Sequence, residues 1–130
     1  MMGRWNTAFT IRLVYALCLS GATLNHARSV LEHGLAWDYG GVPPFVSAFW
    51  TALTFIDALA VLLLFARPRA GLLLTVAIMV ADVAVNGWVG MTYGFDVAAF
   101  SAQFVFMLFV LGTVRMAWRL ESVRRRHAGQ

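Results

Sequence analysis

The stretch LLLFARPRAGLLL, Leu62 to Leu74, decides the fold. Three residues, Arg67-Pro68-Arg69, separate two long apolar runs. Proline cannot continue the helix that precedes it, and a connection this short joins two helices only as an antiparallel hairpin. The run before it extends from Phe45 to Ala66 and the run after it from Ala70 to about Val89. Each is close to the ~20 apolar residues that a helix needs to cross hydrocarbon. Two further runs of that kind flank the pair, about Ala8 to Ala27 and about Val97 to Val114, and the helix of the last can continue through Arg119. The expected architecture is an all-α integral membrane protein, a four-transmembrane-helix antiparallel bundle. A single domain over residues 1–130 would end in a basic tail, 115–130.

Composition supports this reading. Of 130 residues 61% are hydrophobic and only 12% charged, against roughly 45–50% and 25% in a soluble globular chain. All ten basic residues are Arg. With four spans, the amino terminus, the 67–69 turn and the carboxyl tail share a face. That face holds Arg4, Arg12, Arg67, Arg69, Arg115, Arg119, Arg124, Arg125 and Arg126, against Arg28 alone on the other. Such a bias predicts both termini on the cytoplasmic side, in a bacterial-type plasma (inner) membrane. Trp5, Trp37, Trp50, Trp88 and Trp118 fall near the span ends, as interfacial aromatics do. Arg12, near one end of the first span, is expected to snorkel to the headgroups.

The first span has a rival reading as a secretory signal, with Arg4 and Arg12 ahead of Leu13–Leu19 and Ser20-Gly21-Ala22 as a cleavage site. Its apolar stretch is long enough to stay in the membrane, and Ala16, Ser20, Thr23 and Ala27 form a small-residue face suited to helix packing. The lone Cys18 excludes an intramolecular disulfide and a cysteine metal cluster, and reads as a small buried residue.

The polar residues inside the runs carry the functional question. Asp57 lies ten positions before Arg67, roughly 15 Å from that boundary at the helical rise. Asp82, twelve after Ala70, and Gln103, twelve before Arg115, lie roughly 18 Å from it. Three polar side chains on three helices therefore share one layer. Asn86 is one turn further on the face of Asp82, and Asn25 and His26 complete the set from the outer end of the first helix. A carboxylate at mid-bilayer costs about 2.5–3.5 kcal/mol even on insertion scales. Two such groups, with no Arg at their depth, must face inward and share hydrogen bonds, a proton or water. At least one is expected to be neutral at neutral pH. The structural alternative is that Asp57, Asp82, Asn86 and Gln103 are interhelical glue. Thr54 and Thr75 are expected to bond to their own helix backbone.

The longest segment outside the spans is HARSVLEHGLAWDYGGVPP, His26 to Pro44. It reads as a loop with interfacial aromatics, or as one folded back as a lid over the outer mouth. His26 and His33 would share a face if the first helix passed Val30, with Glu32 and Asp38 as further ligands, but no closed metal-ligand set results. GWVGMTYGFD, Gly87 to Asp96, reads as a turn, and the tail ESVRRRHAGQ as a basic cluster attracted to anionic lipid headgroups. One Arg triplet without interleaved aromatics makes no nucleic-acid surface.

No phosphate loop, HExxH pair, nucleophile elbow or CxxC occurs, and no cofactor is implied. The layout resembles that of the four-helix sterol-binding and isomerase membrane proteins of the emopamil-binding group, in a Pro-containing outer loop paired with acidic residues in the spans. Only the arrangement is shared, since the acidic residue here follows Pro44 by thirteen positions and no motif matches residue by residue. Three functions fit the sequence. The polar layer can bind or translocate a proton, cation or amphipathic small molecule, at a site of Asp57, Asp82, Asn86, Gln103, Asn25 and His26, with a homo-oligomer or partner membrane subunit completing a pathway. The chain can instead be a structural or accessory subunit of a membrane complex. A lipid-active enzyme using an intramembrane carboxyl and His26 is the third.

Overall fold

The computed structural model describes residues 2–129, with side chains from Thr7 onward. Four helices account for nearly all of it: α1 (Met2–His33), α2 (Pro44–Ala66), α3 (Pro68–Tyr93) and α4 (Val97–Ala128). Each is long and apolar enough to cross a membrane. Arg4 and Trp5 fall in the first turns of α1, where their side chains lie outside the described residues.

The hairpin at 67 is tighter than its three-residue signature. Arg67 alone separates α2 from α3, in an extended conformation (φ −140°, ψ 77°) while its N–H caps the Leu63 carbonyl at 2.8 Å. A residue before proline is pushed out of helical geometry, and Pro68 fills the first turn of α3, where its missing N–H leaves no bond unmade. One turn on, a Cβ at Gly71 would stand 2.6 Å from the Leu64 Cα. Only glycine lets the two backbones pass that closely. Pro44 opens α2 in the same way as Pro68 opens α3. Asp96 caps α4 by accepting the Ala99 N–H at 3.1 Å.

The helices run alternately up and down, each packed on its sequence neighbours, with α4 closing back on α1. Tyr15, Leu19, Leu53, Leu64, Leu72 and Val110 are fully buried in the middle of the bundle. Large apolar side chains such as Leu17, Leu24, Phe55, Leu62, Leu73 and Val105 cover the outside. An apolar exterior over a packed interior suggests lipid rather than water as the surrounding medium. The terminal end of the bundle carries the start of α1, the end of α4 and the Arg67 turn, and the loop end carries segments 34–43 and 94–96.

Three helices outrun their predicted spans, because a helix does not stop where hydrocarbon does. α1 continues past Ala27, supported by the exposed Arg28–Glu32 pair at 2.7 Å, and ends where Gly34 takes φ +84°. α3 continues through Gly87 and Gly90 to Tyr93, so the Gly87–Asp96 segment is mostly helix and turns only at 94–96. The basic tail is no separate segment but the last turns of α4.

That last extension corrects the reading of Arg12. Its guanidinium does not snorkel outward: the residue is 5% exposed. Nη2 pairs with Glu121 Oε1 at 3.1 Å and Nη1 donates to the Leu64 carbonyl at 2.8 Å. Glu121 is buried, seven positions past the predicted span end, and reaches α1 because α4 stays helical there.

Candidate functional site

Within the bundle the polar residues of α2, α3 and α4 meet at one level. Asn86 Nδ2 donates to Asp82 Oδ1 and to Gln103 Oε1, both at 2.9 Å. Gln103 Nε2 donates to the other Asp82 oxygen. The three side chains thus close a ring in which both carboxyl oxygens of Asp82 are acceptors. Trp50 Nε1, from α2, donates to Asn86 Oδ1 at 2.8 Å and fixes the direction of that amide. Spacing explains the assembly. Asp82 and Asn86 are one turn apart on α3, and Trp50 stands two turns from Asp57 on α2, on the same face.

Asp57 is different. It is 2% exposed, and its Oδ1 is buried with no hydrogen-bond partner. It borders a cavity of about 290 Å³ that Asp82 and Gln103 also line. Ile78, Met79 and Leu19 complete the closed side of that chamber. Every one of its wall residues from α2 and α3 is buried, whereas Cys18 of α1 and Ala102 of α4 are exposed. Cys18, expected as a buried filler, is therefore on the open side of the chamber.

A second cavity of about 550 Å³ lies toward the loop end and shares Asp82, Gln103 and Ala22 with the first. Asn25, His26 and Ser29 of α1 form one of its walls, and Asn86 and Val89 of α3 another. Asp57 does not reach it, so of the two aspartates of the mid-span layer His26 shares a wall with Asp82 alone, with Asp96 lining the same cavity at the loop end. The loop closes its flank through a run of rings: His33 stacks on Trp37 at 3.7 Å, Trp37 meets Tyr39 at 4.2 Å, and Tyr39 meets Trp50 at 5.1 Å. Tyr39 holds φ +52°, a left-handed conformation that ring packing stabilises. Segment 34–43 thus folds back as a side wall.

The other loop candidates are occupied locally. Glu32 accepts from Arg28, and Asp38 Oδ1 accepts the Gly40 N–H at 3.1 Å. His33, unlike His26, faces Trp37 rather than the cavity. Among the described residues no three His, Cys, Asp or Glu side chains converge on a point. Thr75 bonds to the Gly71 carbonyl at 2.8 Å as expected, but Thr54 Oγ1 is buried without a partner. Its helix backbone does not serve it.

Sequence reasoning missed Trp50 and Tyr39 as parts of the polar system, having read tryptophans as interfacial anchors. The seven-residue spacing from Trp50 to Asp57 was the available signal. No family model, curated protein or solved structure matches the chain.

Proposed function

We propose that this chain is a multi-pass protein of a bacterial-type plasma membrane that binds an amphipathic small molecule in the chamber between Asp57 and Asp82. Both termini and the Arg67 turn then face the cytoplasm. Nine arginines on the terminal side against one on the loop side support that orientation. The exposed Arg115, Arg119, Arg124, Arg125 and Arg126 lie along the end of α4, where anionic headgroups would meet them.

The observation that carries the binding reading is the unpartnered Asp57 Oδ1 on a cavity wall. A buried polar atom without a partner forfeits about 1–3 kcal/mol, and a carboxyl spent only on helix packing would not be left bare. Asp82, with both oxygens engaged, serves as the structural member of the pair. The same asymmetry favours binding over translocation, since toward the terminal end the bundle is filled by Tyr15, Leu64, Val110 and the Arg12–Glu121 pair.

Mass spectrometry of protein purified in mild detergent tests the reading. The wild type is expected to carry a small molecule that Asp57→Asn lacks, with both proteins equally helical. Identical bound species in the two would remove the carboxyl from the site and leave a packing role.

A further inference from the structure

The exposed lining residues of the chamber are Cys18 of α1 and Ala102 of α4, so it opens to the exterior of the bundle between these two helices. Its α2 and α3 walls, Asp57, Ile78, Met79 and Asp82, are buried, while Cys18 and Ala102 on the facing helices are exposed. The contacts between α1 and α4 explain the gap. Arg12 to Glu121, and Tyr15 to Val110, Thr113, Phe106 and Phe109, hold the two helices together toward the terminal end. Among the described residues, no hydrogen bond, ion pair or ring contact joins them beyond Tyr15 and Phe106. From Cys18 and Ala102 toward the loop end, Ala22 of α1 and Ala99 of α4 leave room between the helices, beside the larger Asn25, His26 and Phe100 that line the second cavity.

We infer that the occupant is a single-chain amphiphile with a protonated amine head, which enters sideways from the bilayer through the α1–α4 seam, sets its head on Asp57 and leaves its tail in the seam. This rests on the binding reading above and adds the ligand class and the route. The head chemistry follows from the wall. Two carboxyl groups and the Gln103 amide line the chamber, and none of its lining residues is Arg, Lys or His. A bare carboxyl oxygen in such a wall is matched by an N–H donor that brings positive charge. An anionic head would meet two carboxyls and no cation. The tail chemistry follows from the seam, since Leu19, Ala22, Ala102 and Phe106 offer an apolar lining that continues into the apolar exterior.

Cys18 provides the readout, as an exposed thiol on the seam and the only cysteine in the chain. Full-length protein in phosphatidylcholine nanodiscs is alkylated with N-ethylmaleimide while dodecylamine, dodecanol or dodecanoate is titrated in. Dodecylamine is expected to slow alkylation about tenfold near saturation, and Asp57→Asn to weaken that protection by about tenfold, the loss of one charge-assisted contact. Dodecanol and dodecanoate are expected to leave the rate as it is. Equal protection by dodecanol overturns the amine head, and a neutral co-purifying molecule lost in Asp57→Asn would then keep the site while replacing its ligand. Ala102→Phe, on the exposed lip of the seam, is expected to slow the onset of protection. An unchanged onset in that variant overturns the lateral route, and protection that is the same in Asp57→Asn and wild type overturns both the ligand and the site.

Discussion

The two ends of the bundle differ in what their buried polar groups border. Toward the terminal end Arg12 and Glu121 are paired, the Tyr15 hydroxyl donates to the Val110 carbonyl at 3.1 Å, and Arg69 donates to Ser122 while its guanidinium lies over the Trp118 ring. Leu64, Leu72, Val110 and Ala117 are fully buried between the helices there. Toward the loop end the helices part, two cavities open, and a carboxyl oxygen is left bare. The terminal half fastens four helices through polar pairs and, among the described residues, leaves only Arg12 Nε and Arg69 Nε buried without a partner. The other half fastens three through the Asp82–Asn86–Gln103 ring and Trp50 and leaves a carboxyl oxygen bare on a cavity wall. The same residue types thus form a closed pair or border a cavity according to whether the neighbouring helices are in contact.

The Arg12–Glu121 clamp gives the largest expected effect. Arg12→Ala strands the Glu121 carboxyl, 3% exposed, in a wall with no other cation on it among the hydrogen bonds and ion pairs of the described residues. Removing one partner of a buried pair costs about 3–5 kcal/mol, whereas replacing both with apolar residues of similar size is often neutral. Unfolding of the purified protein in detergent, followed by circular dichroism, is expected to shift strongly downward for Arg12→Ala and to recover in Arg12→Met/Glu121→Leu. A wild-type transition in Arg12→Ala would mean that the terminal half is held by apolar packing alone, and the contrast between the halves would lose its basis.

How far the sequence foretold this differs between the halves. Four apolar runs, the Arg-Pro-Arg hairpin and the level shared by Asp57, Asp82 and Gln103 were legible, because hydrocarbon thickness and helical rise convert residue counts into depth. The clamp was not. Glu121 lies beyond the apolar window of α4, so hydropathy treated it as part of a tail, and Arg12 then had no visible partner. Side-chain pairing between first and last helices is a property of crossing geometry, which a one-dimensional pattern does not contain. In the site, the shared face of Asp82 and Asn86 was readable from their four-residue spacing. The division between an engaged Asp82 and a bare Asp57 was not, since it depends on which helices supply the amide donors. Cys18 and Arg12 were both misjudged for one reason: whether a position on α1 is filled or open depends on how far α4 stands away.

Within the site the expected effect is intermediate. Asp82→Asn replaces two acceptor oxygens with one acceptor and one donor, so either Gln103 Nε2 loses its acceptor or Asn86 Nδ2 loses one of its two, and an N–H faces an N–H. Such a loss in a buried network costs about 1–3 kcal/mol. Exchanging the roles, Asp82→Asn with Gln103→Glu, restores an acceptor opposite each donor. The double variant is expected to regain most of that stability, and the cycle to return a coupling of about 0.5–3 kcal/mol. Additive losses in the four proteins would mean that the ring contributes nothing as a unit.

The smallest effect is the most discriminating. Asp57 Oδ1 has no donor in the protein to lose, so Asp57→Asn removes a costly unpartnered carboxyl and breaks no bond. Its stability is expected to stay within about 0.5 kcal/mol of wild type or to rise slightly, measured in the same detergent and free of added amphiphile. The comparison with Asp82→Asn matters more than either value. Two carboxyls on one wall, at similar burial, should respond to the same chemical change in opposite proportion if one is a fastening and the other a vacancy for a ligand. Equal destabilisation by the two substitutions would place both in the packing framework. The open half of the bundle would then differ from the closed half only in how loosely it is filled.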